Sequence, residues 1–110
     1  MTDKLMSDYL ITFVTAESEE QARQIGRALV ERRLAACVNL APVTSLFAWE
    51  GQIEQAGEVL MIIKTRAALF DSLVAAVREL HSYEVPEIVA LPIVHGSADY
   101  LRWISEVTGG

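Results

Sequence analysis

The first apolar run of the chain is residues 9–15 (Tyr-Leu-Ile-Thr-Phe-Val-Thr). It is dense in β-branched and aromatic side chains, which predicts a strand. The pattern then changes period. Ser18-Glu19-Glu20-Gln21 fits a capping box, with a serine hydroxyl positioned to accept from the backbone and a glutamine to reach back. Two early glutamates suit the positive end of a helix. Ala22, Ile25, Gly26, Leu29 and Val30 follow at helical spacing and predict an amphipathic helix to about Arg33.

Residues 36–49 return to a β-rich pattern, interrupted at Pro42. A proline there predicts a bulge or an edge position, because it cannot donate to a ladder. Glu50-Gly51 is a turn signal, since glycine takes positive φ freely. Residues 52–65 then form a second strand that ends in the apolar stretch Val59–Ile63. The two strands make an unusually long hairpin. Its apolar edge is an association site unless something covers it.

Residues 67–81 carry Leu69, Leu73, Ala76, Val77 and Leu80 on one helical face. Residues 82–86 break that helix, because the residue before Pro86 avoids helical angles. Residues 87–94 predict a strand whose continuous apolar run implies burial on both faces. His95-Gly96 turns the chain, and Ser97 caps a last helix through Tyr100, Leu101, Ile104 and Val107.

The order is β-α-β-β-α-β followed by a C-terminal helix. That is an α+β class chain: a ferredoxin-like βαββαβ sandwich with two helices on one face, a long β-hairpin and a C-terminal helix. Its crossovers are expected to be right-handed. Residues 8–107 read as one domain, with frayed ends at 1–7 and 108–110.

Composition sharpens the reading in one respect. The chain has 110 residues, of which 52% are apolar. A single domain of this size removes only about 60–70% of its unfolded surface from water. The apolar content exceeds what one small core needs, which points to burial against other subunits. A membrane span would need roughly 18 consecutive apolar residues. The longest run, Ile88–Val94, is strand-sized and interrupted by Pro92. Met1–Asp8 contains no basic region followed by an apolar stretch, so no signal peptide is expected. Cys37 is the only cysteine, which excludes an internal disulfide. These features together predict a cytoplasmic protein, or a mature domain whose targeting segment is absent here, with no membrane contact.

Fifteen acidic residues against nine basic ones give a formal net charge of −6. The basic residues make no stripe beyond Arg32-Arg33. Nucleic acid is therefore not an expected partner, since its affinity comes from basic groups meeting phosphates. RNA-binding domains of this strand order also need stacking aromatics, and Val59–Ile63 offers none.

No phosphate loop, nucleophile elbow or zinc-protease motif is present. The loop after the first strand, Ala16-Glu17-Ser18-Glu19, is acidic and would repel an anionic substrate. Hydrolase chemistry is not expected. Candidate metal ligands are Cys37, His81, His95 and nearby carboxylates, none at a short ligand spacing. Cys37 reads as a small hydrophobe among Leu34, Ala35, Ala36 and Val38. His81 reads either as a cation at a helix C-terminus or as a ligand, and His95 as a solvated loop residue. The densest polar cluster is His81, Ser82, Tyr83, Glu84 and Glu87, in a loop between rigid elements. Lys64 and Arg66 are placed to pair with those carboxylates. Phe47, Trp49 and Trp103 are expected in the core or at a subunit interface.

Several stretches match one family. Leu34–Asn39 leads into Ser45-Leu46-Phe47-Ala48-Trp49-Glu50-Gly51-Gln52-Ile53. Glu58–Thr65, His81-Ser82-Tyr83-Glu84-Val85-Pro86-Glu87-Ile88 and Asp99–Ile104 follow in order. Together they resemble the CutA family of divalent-cation tolerance proteins over residues 9–107. The resemblance implies a homotrimer similar in layout to the PII signalling proteins, with long hairpins pairing between subunits. It implies lateral clefts lined by Lys64, Tyr83 and Glu87, with Trp49 nearby. It also implies a link to copper and divalent-cation tolerance.

Two departures stand out. Ser82 replaces the proline usual after the histidine. The resemblance also implies a first-strand cysteine and a His-His pair that look like copper ligands in some members; those positions here are Val14 and Leu80-His81, which leaves only His81. The expectation is weak binding of Cu(II) or another divalent cation at inter-subunit sites, with His81 and Glu84 as ligands and no organic cofactor. The alternative is a PII-like signalling or scaffold trimer that binds a small ligand or an unidentified partner protein. An enzyme using Lys64, Tyr83 and Glu87 for acid–base work is the third and least expected reading.

Overall fold

Alternation along the strands decides the layers. In the computed structural model, which describes residues 7–110, β1 spans Tyr9–Ala16, α1 Glu19–Glu31, β2 Cys37–Trp49 and β3 Gln52–Arg66. A 3-10 turn at Ala67–Leu69 leads into α2 (Phe70–Leu80), followed by β4 (Ile88–Pro92) and α3 (Ala98–Val107). The sheet order is β2-β3-β1-β4, and every neighbouring pair is antiparallel. This is the expected ferredoxin-like arrangement.

One face of the sheet carries Val14 and Ala16 from β1 and Met61 and Ile63 from β3. They pack with Ile25 and Leu29 of α1 and Leu73 and Val77 of α2, and all are fully buried. Each large side chain so buried contributes about 1.5–3 kcal/mol. Gly26 lets α1 approach β2, because a Cβ there would sit 3.2 Å from Val38 Cγ1. Ser18 caps α1 by accepting from the Gln21 backbone N–H. The Gln21 amide oxygen does not reach back as a capping box would; it accepts from the Ser82 hydroxyl.

The hairpin turn places Glu50 at φ 50 and Gly51 at φ 79. Positive φ at both central residues is the tight hairpin geometry whose twist matches its strands. The bulge expected at Pro42 is absent. Pairing runs unbroken from Cys37 opposite Lys64 to Trp49 opposite Gln52, with Pro42 opposite Val59. The edge expectation does hold. β2 is the outermost strand, so one row of its backbone groups has no ladder to join and a missing N–H is tolerated.

The second face of the sheet is only partly covered. Tyr9 lies opposite Arg66, and both reach α3. The Tyr9 hydroxyl is 2.7 Å from Ser105 Oγ. Arg66 donates from Nε to Thr108 Oγ1 and from an Nη to the Thr108 carbonyl, each at 2.8 Å. Thr108 is buried, and the Gly110 N–H reaches the Ser105 carbonyl. The 108–110 tail, expected as frayed, is therefore tied down by Arg66 at the end of β3, 42 positions from Thr108. The N-terminal fraying expectation lies outside the described residues except for Ser7, whose hydroxyl accepts from the Tyr9 N–H.

β4 departs from expectation. It is shorter than 87–94 and is not buried on both faces: Val89 is 52% and Leu91 57% exposed. It forms the far edge of the sheet, and these two side chains point to the face that α3 leaves open. Among the described residues no helix is long and apolar enough to cross a membrane.

Candidate functional site

β3 outruns β1. The last β1 residue, Ala16, pairs with Val59, while the hairpin continues from Val43 opposite Glu58 to Trp49 opposite Gln52. The protruding arm and the loop between α2 and β4 bound an open groove of about 1060 Å3. Strand alternation puts Trp49, Phe47, Ser45, Glu54 and Glu58 on one face of the arm, with Phe47 directly opposite Glu54. Tyr83, Glu84, Val85 and Glu87 line the groove from the loop, and Glu50 lines it from the turn.

The loop is anchored from behind by His81. Its Nδ1 accepts from the Tyr83 backbone N–H at 3.0 Å, and its Nε2 lies 2.7 Å from the Thr15 carbonyl. These partners fix the tautomer, since a carbonyl requires a donor and an N–H requires an acceptor. The ring is buried, and Tyr83 lies against it with centroids 4.7 Å apart. Ser82 adds a second tether by hydrogen bonds to Glu17 and Gln21.

Tyr83 in turn orients one groove carboxylate. Its hydroxyl donates to Glu58 at 2.7 Å. Partial burial, then the hydrogen bond to Glu58, and then the Glu58 and Glu17 charges push the phenol up to about 12. The phenol is thus neutral at ordinary pH and available as a donor.

The groove is acidic. Glu50, Glu54, Glu58, Glu84 and Glu87 line it, and among the described residues no lysine, arginine or histidine does. The ion pairs among the described residues use Glu19, Glu31, Glu79 and Asp99 instead. All of those pairs are solvent-exposed and are worth little individually.

The expected site residues therefore divide. Trp49, Tyr83, Glu84 and Glu87 come together in the groove. Lys64 does not. It lies six residues along β3 from Glu58, about 20 Å at the rise of an extended strand, and its amine is held by the Asn39 side chain. Arg66 is engaged with Thr108, so neither cation pairs with the loop carboxylates. His81 stands behind the groove, with both ring nitrogens committed to main-chain groups. As a metal ligand it would have to give up one of these bonds. Cys37 is half-buried beside Asn39, and His95 is exposed.

Glu54 and Glu58 were not among the expected site residues. Their signal was in the sequence: counting outward from the Glu50-Gly51 turn sets the register that places Glu54 opposite Phe47 and Glu58 opposite Val43, on one face of the arm. What the residues would do for a divalent metal is limited within one protomer. Among the described residues no group of three or more His, Cys, Asp or Glu is close enough to hold a metal ion. A single copy does not fit such an ion.

Residues 10–107 match the family described as CutA1 divalent ion tolerance protein. The Thermus thermophilus divalent-cation tolerance protein CutA is 49% identical over 100 residues, covering 90% of this chain and 97% of its own. Mouse protein CutA is 52% identical over 97 residues, covering 87% of this chain. The chain spans about half the length of the mammalian relatives it matches (55% for mouse). The solved divalent cation tolerance protein (Cut A1) from Thermus thermophilus superposes with a TM-score of 0.90 at 48% identity, covering 92% of this chain and 99% of that one. A solved CutA from Archaeoglobus fulgidus gives 0.90 at 44% identity, with 91% and 98% covered. With a family match across nearly the whole chain and the same fold at high identity, this chain belongs to the CutA1 divalent ion tolerance family.

Proposed function

We propose that the protein serves divalent-cation tolerance as a homotrimer, binding divalent cations weakly at clefts between subunits rather than catalysing a reaction. The carrying observation is the groove beside the hairpin arm, lined among the described residues by five glutamates and no basic side chain. Unpaired carboxylates gathered in one concavity lower the potential there and draw cations from solution. The described residues of one copy hold no preformed ligand set, so the proposed ion takes carboxylates from more than one copy. Closed symmetry multiplies each ligand, and oxygen donors of this kind suit hard ions such as Mg2+, Ca2+ and Mn2+. Copper(II) then has only oxygen donors here unless His81 leaves its main-chain partners.

The trimer part of the proposal is supported by the open sheet face. Ile11, Phe13, Leu60, Ile62, Val89 and Leu91 share that face by register, and a second copy would remove them from water. Names of related proteins describe tolerance to divalent cations and no enzymatic activity, which agrees with a binding role.

Titration of the apo protein with Mn2+ and with Cu2+, beside Glu58→Gln and His81→Asn, tests the reading. Mn2+ binding weakened by Glu58→Gln and unchanged by His81→Asn is the expected result. Cu2+ binding lost only in His81→Asn would replace the carboxylate site with a histidine site. Light scattering on a sizing column tests the assembly, and a monomer mass would refute the trimer.

A further inference from the structure

We draw no further inference here: the strongest candidate, the groove between α1 and the outer strand β2 with Gly26, Val30, Val38 and Leu40 in its lining, carries nothing, because the two arginines beside it, Arg23 and Arg27, are already paired with Glu19 and Glu31 and nothing in the structure shows what covers its apolar face.

Discussion

Ile62 and Ile63 are neighbours in sequence and opposites in circumstance. Ile63 is fully buried under α1 and α2, while Ile62 shares the open face with Phe13 of β1 and Asn39 of β2. The two faces of this sheet carry side chains of the same kind, yet the chain supplies a lid for only one. α3 covers one end of the second face through Tyr9 and Arg66, and Val89 and Leu91 remain open. An apolar side chain in a strand thus reports that a face will be covered, not by what. The excess of apolar residues over the needs of one core is located on the open face and the hairpin arm.

The contrast can be broken or sharpened by substitution. Ile63→Ala is expected to destabilise by about 2–5 kcal/mol, the range for truncating a buried side chain that leaves a cavity. Denaturant unfolding at fixed protein concentration measures it. Ile62→Ala, truncating the same side chain, should cost distinctly less in a monomer. An equal cost at a concentration where copies associate would mean that assembly covers that face. Leu91→Glu should leave far-UV circular dichroism unchanged and reduce the scattering mass, because a charge on the open face opposes its burial. An unchanged mass would remove that face from the interface.

The covered face has a flaw that offers a smaller effect of the opposite sign. Thr12 is fully buried, and its hydroxyl has no hydrogen-bond partner. Thr12→Val keeps the shape and removes the unsatisfied group, so a gain of about 1 kcal/mol is expected in the same unfolding experiment.

The smallest effect concerns the groove. Tyr83 titrates at about 12 in the folded protein, raised from an ordinary 10.0. A folded-state pKa above the unfolded one stabilises below the lower value, and the contribution is lost as pH rises through the higher one. The wild type should therefore lose stability between pH 10 and 12 relative to Tyr83→Phe. Parallel curves for the two proteins would mean that Glu58 does not hold the phenol.

Much of the fold was legible because local rules agreed with the global one. Serine at position 18 and serine at position 97 both cap helices as their sequences imply. Glu50-Gly51 closes the hairpin in the geometry that its glycine permits. Where the reading missed, the reason was tertiary. Continuous hydrophobicity in Ile88–Val94 suggested a strand over 87–94 covered on both sides, but periodicity does not distinguish a central strand from an edge strand. Pro42 suggested a bulge or an edge position, and edge placement alone accommodated it. Lys64 was grouped with Tyr83 and Glu87 in a cleft between subunits; within one chain, strand rise sets it about 20 Å from Glu58, the carboxylate that Tyr83 holds.

By itself, the sequence determined the elements, their caps, the hairpin register and hence which residues share a face, because these follow from periods of two and 3.6 residues and from backbone angles. Only the tertiary structure decided that His81 spends both nitrogens on main-chain groups, that Arg66 secures the C-terminal turn, and that Glu54, Glu58 and the Tyr83 loop face one another across a groove. Those outcomes depend on hydrogen bonds between residues distant in the chain, and no local period encodes them.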